Sequence, residues 1–252
     1  TTCVAMTMPS SALRNRVSPS RMHVLLNQIR STFSSHANST HSQGMAHYMR
    51  GQFAFFGIKT PERRILSKPF LLEAATLDRK AVYALIQALW EQPERECHYL
   101  AQEIYLKVAN RILNRGDMPF IEFLLLTHSW WDTVDVIAPK IIPIYLDRFP
   151  EDRDRKVENW SASGNIWLQR SALLFQLKLK DQVDLPYMFQ TILRLSDTRE
   201  FFVNKAIGWL LREHSRHKPI ESSWFIDQHH LKLDKLSIRE GRKHLDRVRR
   251  SP

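Results

Sequence analysis

Apolar residues recur along this chain at three- and four-residue spacing, as in Val82, Leu85, Ile86, Leu89 and Trp90 behind a polar Asp78. That period places them on one face of a helix, with Asp78 as its N-cap. No long stretch alternates as a strand would. Thr60-Pro61-Glu62 has the order of an N-cap, a first-turn proline and an acid matched to the helix dipole. Ser237-Ile-Arg-Glu240 has the capping-box spacing ahead of a last helix. Further helix starts are expected near Asp117, Pro150, Asn165, Asp184 and Thr198. The pattern from residue 21 to 250 predicts about a dozen short helices with brief connections, which is how stacked helical hairpins read.

Three segments superimpose at a constant offset: Trp130-Trp-Asp-Thr-Val-Asp135, Asn165-Ile-Trp-Leu-Gln-Arg170 and Glu200-Phe-Phe-Val-Asn-Lys205. Pro93-Glu-Arg-Glu-Cys-His98 is a weaker earlier copy. A period of about 35 residues belongs to helical-pair solenoids, so the expected architecture is a curved all-α superhelix. Equivalent positions of successive repeats line up on one surface, which puts Asp135, Arg170 and Lys205 in a row. Trp131 and Trp209 join it, being one helical turn from Asp135 and Lys205. Trp130 is turned about 100 degrees from Trp131 and points to the core.

Each of these residues has a plain structural alternative at this stage. Asp135 fits an ion pair with Arg170, the tryptophans fit packing between helices, and the two cations fit solvent or phosphate.

Composition narrows the chemistry. The chain has 252 residues, 37 Lys and Arg against 26 Asp and Glu, and a formal net charge of +11. That balance favours polyanionic partners, nucleic acid first and anionic membrane second. Its 7 glycines cannot write the dinucleotide-binding or phosphate-loop patterns, so no nucleotide cofactor is expected. The 2 cysteines, Cys3 and Cys97, are too few for a disulfide scaffold or a thiolate zinc site. His214-x-x-His217 and His229-His230 lack companion ligands and read as solvated helix-end histidines, so no metal is expected. No apolar run is long enough to span a bilayer. Residues 1–20, acid-poor with scattered Pro and Ser, read as a flexible leader, and 21–252 as one helical domain. The basic tail from Lys232 to Arg250 is either a solvated face or an extra grip on phosphate.

Ser129-Trp-Trp-Asp-Thr-Val-Asp135, Asn165-Ile-Trp-Leu-Gln-Arg170 and Lys205-Ala-Ile-Gly-Trp-Leu-Leu-Arg-Glu213 resemble the signature segments of the AlkD family of bacterial DNA-alkylation-repair glycosylases, which are HEAT-like repeat proteins. Tyr48-Met-Arg and Phe56-Gly-Ile-Lys-Thr-Pro-Glu-Arg-Arg64 resemble its N-terminal helices. The resemblance runs from about Ala46 to Lys243. It implies a monomeric, cytoplasmic enzyme associated with the nucleoid, which holds duplex DNA in a concave face and excises cationic N3- and N7-alkylated purines without a cofactor. It assigns the catalytic carboxylate to Asp135, the sugar-facing indoles to Trp131 and Trp209, and a phosphate contact to Arg170. Lys205 is a further cation of the row. Tyr48 and Lys59 fall at N-terminal DNA contacts, Lys59 standing where the family has glutamine.

Breaking an N-glycosidic bond builds positive charge on the sugar, which a carboxylate stabilises. The row contains no second carboxylate to act as general acid, and an alkylated purine, already cationic, needs none. The alternative is a non-catalytic helical-repeat scaffold that binds distorted duplex DNA.

Overall fold

A computed structural model describes residues 19–249 of the chain. Residues 1–18, most of the expected leader, lie outside the described residues, and the first helix opens at Pro19, two positions inside it. In chain order the helices are α1 (Pro19–Ser35), α2 (Ser39–Tyr48), α3 (Thr60–Ala74), α4 (Arg79–Trp90), α5 (Arg95–Ile112), α6 (Met118–Leu126) and α7 (Trp131–Lys140). There follow α8 (Ile142–Arg148), α9 (Arg153–Ala162), α10 (Ile166–Leu174), α11 (Leu185–Arg194), α12 (Phe201–His214), α13 (Pro219–Gln228) and α14 (Lys235–Arg249). Among the described residues there is no strand, only one isolated bridge between Ala54 and Glu94. None of these helices is long and apolar enough to cross a membrane.

Helices α3, α5, α7, α10, α12 and α14 begin at residues 60, 95, 131, 166, 201 and 235, a spacing of 34 to 36 residues. Each packs on the next, making one layer of a solenoid. Helices α4, α6, α9, α11 and α13 back that layer. Pro93–His98, the faint copy of the repeat, is the entry to α5.

The apolar periodicity becomes core where it was legible. Leu85, Ile86, Leu89 and Trp90 of α4 are wholly buried, and Trp90 Nε1 donates to the Thr127 carbonyl at 3.1 Å. Truncating such a residue to Ala costs about 3–5 kcal/mol. Asp78, Asn165 and Asp184 cap α4, α10 and α11 by accepting from backbone N–H groups, each worth about 1 kcal/mol.

Three expected boundaries move. Thr60 is the first residue of α3 and Lys59 flanks it without a side-chain cap. Thr198 accepts from Glu200 N in the turn before α12, which starts at Phe201. Ser237 and Glu240 form no capping box: both lie inside α14 and are buried against α12. Asp234 instead accepts from Leu236 N. Nor is His214 a solvated helix-end histidine. It is wholly buried, its Nε2 sits 3.0 Å from the Gln176 carbonyl, and burial lowers its pKa.

Candidate active site

The start of α7 sets the site. Trp130, in extended conformation, precedes the helix, Trp131 opens it, Asp132 lies in the first turn and Asp135 one turn further. Asp132 faces back to α5. Its carboxylate accepts Arg95 Nη2 at 2.6 Å and Nε at 3.0 Å, and Tyr99 Oη at 2.7 Å. The Arg95 side chain is 0% exposed; it also donates to His128 O and Thr133 Oγ1 and lies 3.7 Å from the centroid of the Phe53 ring. This is a sealed staple between α5 and α7.

Asp135 faces the other way. Arg170 of α10 donates to it in bidentate fashion, Nε to Oδ1 at 2.7 Å and Nη2 to Oδ2 at 2.9 Å, and Arg170 Nη1 donates to the Phe202 carbonyl. The Arg170 side chain is 4% exposed and that of Asp135 17%. Burial lifts the Asp135 pKa above the ordinary aspartate value, opposed by the hydrogen bonds and charge of Arg170. A bidentate arginine fixes the plane of the carboxylate and leaves its remaining lone pairs unfilled.

Those lone pairs border a cleft of about 390 Å³. Asp135, Trp131, Trp209, Arg170, Lys205 and Tyr48 all line it. Tyr48 is 70% exposed at the end of α2, and its ring stands edge-on to Trp131 with centroids 6.1 Å apart. Lys59 is not in this cleft. It borders a neighbouring apolar hollow of about 360 Å³, which shares Tyr48 with the first and is lined largely by α2.

The free protein departs from the expected availability of the cations. Arg170 has all three of its nitrogens engaged inside the protein, so its immediate partner is Asp135. Lys205 Nζ donates to Glu240 at 2.7 Å. Glu240 is thus a second carboxylate in the 35-residue row, one that the sequence reading left out. Burial opposes its ionisation, but Lys205 and Lys243 outweigh that and hold its pKa at about 2.

Other wall residues were also missed. Phe201, two repeats beyond Trp131, is 56% exposed at the rim, and Phe202, Arg212 and Arg50 line the cleft beside it. The repeat register could have found Phe201; nothing local marks Arg50. Trp130 is not confined to the core. It packs on Trp167 and Phe202 while lining the cleft, its buried Nε1–H without a partner. The basic tail is in part an ion-paired surface, since Arg242 meets Asp227 and Lys243 meets Glu240.

The family model for DNA alkylation repair enzymes matches residues 29–245. Among solved structures, a "Predicted DNA alkylation repair enzyme from Enterococcus faecalis" is 31% identical, over 83% of this chain and 96% of that one, with a TM-score of 0.76. None of the curated proteins matches the chain.

Proposed function

The chain belongs to the DNA alkylation repair enzyme family, and we propose that it is a monofunctional glycosylase that hydrolyses the bond between deoxyribose and a cationic N3- or N7-alkylated purine in duplex DNA. The observation that carries this reading is Asp135: one carboxylate, locked in orientation by one arginine, bordering a cleft that also holds the Trp131 and Trp209 indoles.

In this reading the C1′–N bond breaks, its electron pair leaves with the purine, and the base departs neutral. The sugar takes up the positive charge as an oxocarbenium-like species. Asp135 stabilises that charge and orients a water, whose oxygen bonds to C1′ while its proton passes to the carboxylate or to solvent. The indole faces add about 0.5–2 kcal/mol each against a cation. No general acid is required, and Glu240, ionised down to about pH 2, has no proton to supply. Lys205 Nζ is engaged by Glu240 at 2.7 Å and is not presented as the free nucleophile that a lyase needs. Selectivity then follows from leaving-group charge, since an unmodified purine would depart as an anion.

The test is a duplex carrying a single N7-methylguanine, incubated with the parent and with Asp135→Asn. The parent is expected to release free base. The variant should bind the duplex at least as tightly and release base at least on the order of 100-fold more slowly. Salt-sensitive binding with no release from this duplex or one carrying N3-methyladenine would leave the protein a DNA-binding scaffold.

A further inference from the structure

The 35-residue row continues past Lys205 to Glu240, and its four members form two ion pairs, Asp135 with Arg170 and Lys205 with Glu240. Glu240 lies behind the cleft, its side chain 4% exposed. One of its oxygens accepts Lys205 Nζ at 2.7 Å and Lys243 Nζ at 2.8 Å, and the other accepts Arg212 Nη1 at 2.9 Å. Lys205 and Arg212 both line the cleft.

The position of Glu240 is tightly fixed. A Cβ added at Gly208 of α12 would stand 2.5 Å from Glu240 Cβ and 2.9 Å from Ser237 O, so the two helices touch almost backbone to backbone. Ser237 Oγ donates to the Asn204 carbonyl at 2.9 Å in the same contact.

The charge inventory of the cleft calls for such a group. Arg50, Arg170, Lys205 and Arg212 line it against one carboxylate, Asp135, which Arg170 already pairs. Cations attract the phosphate backbone. The same cations oppose positive charge building on a sugar among them. A wall suited to holding DNA is therefore poorly suited to glycosidic cleavage unless its charge is partly masked.

Resting on the glycosylase reading above, we infer that Glu240 is a positioning residue that masks Lys205 and Arg212, so that the cleft grips phosphate without repelling the cationic sugar. This acts through the two cations and not by contact with substrate. It also gives α14 a part in the reaction that its basic composition hides.

The experiment is Glu240→Gln, read in two ways that must move in opposite directions. Affinity for an undamaged duplex should rise at low salt, and its log–log salt dependence should steepen by about one unit, as expected for one more effective cation. Single-turnover release of N7-methylguanine should fall by roughly tenfold, the scale expected when one nearby unit charge is lost at an effective dielectric of about 20. Glu240→Asp, which keeps the charge, should hold the parental salt dependence. Should Glu240→Gln not melt cooperatively, the double variant Glu240→Gln/Lys205→Gln makes the same test: a parental salt dependence is expected, and a shallower one overturns the inference. Affinity and excision falling together, or neither changing, would make Glu240 a structural pin only. If the parent releases no alkylpurine, the glycosylase reading falls, while the salt dependence still decides whether Glu240 masks cleft cations.

Discussion

Asp132 and Asp135 stand one turn apart on α7, and each receives two hydrogen bonds from an arginine of a neighbouring helix. One is a staple and the other a candidate catalyst. Asp132 is also capped by Tyr99 and is sealed between α5 and α7 with its partner. Among the described residues, Asp135 has Arg170 as its one side-chain partner, and it borders a cleft. The residue types and the pairing geometry are the same; what differs is acceptor capacity left over and facing a void. An ion pair becomes a site when one partner is held but not used up.

That contrast breaks most sharply at the sealed pair. Asp132→Ala strands a buried guanidinium, which costs about 3–5 kcal/mol. At roughly 2–4 °C per kcal/mol for a chain of this size, thermal denaturation should show a fall on the order of 10 °C. Excision per folded molecule should drop far less than in Asp135→Asn.

Arg170→Gln tests the open pair from the other side. It removes the influence that lowers the Asp135 pKa and leaves burial, which raises it, so excision at neutral pH should fall about 10- to 100-fold and recover partly toward alkaline pH. A variant whose pH profile matches the parent would show that Arg170 serves only the fold.

The parent's own profile sharpens the comparison further. Excision needs ionised Asp135, and a raised pKa means that the ionised form is lost sooner as the pH falls. The acidic limb should therefore lie above the ordinary aspartate value of 3.8, as single-turnover rates across pH would show. Asp132→Asn, which removes a nearby charge that also raises the Asp135 pKa, should move that limb to lower pH.

The smallest effect is expected at the lip. Tyr48→Ala removes one edge-on ring contact with Trp131, worth about 0.5–1.5 kcal/mol. Duplex affinity or excision should weaken roughly two- to tenfold, and the melting temperature should fall by no more than a few degrees, because Tyr48 is mostly exposed.

The solenoid was legible because its repeat is written in side chains that must face the same way in every turn. Asp135, Arg170 and Lys205 could be aligned by counting, and the pairing of Asp135 with Arg170 was one of the readings the residues allowed. Glu240 sits at the next count, yet its capping-box spacing with Ser237 pointed to a helix start. Asp234 holds the helix start instead, and without a Cβ at Gly208 of α12, α14 comes close enough to bury Ser237 in its first turn and Glu240 in its second. Tyr48, Arg50 and Lys59 lie before the regular repeats, where spacing says nothing about which hollow a side chain reaches. Tyr48 lines both hollows, whereas Arg50 lines only the cleft and Lys59 only the neighbouring hollow.

The contact between Tyr48 and Trp131 has a kinetic side. In a repeat array most contacts run between neighbours, so folding can begin in any repeat and spread locally. Tyr48 reaches past the whole of α3 to α6 to meet α7, so this contact can close only after the intervening repeats have stacked. The lip is then the last piece of the cleft to assemble and the first to open, and hydrogen exchange at the end of α2 should be faster than in α7 or α12.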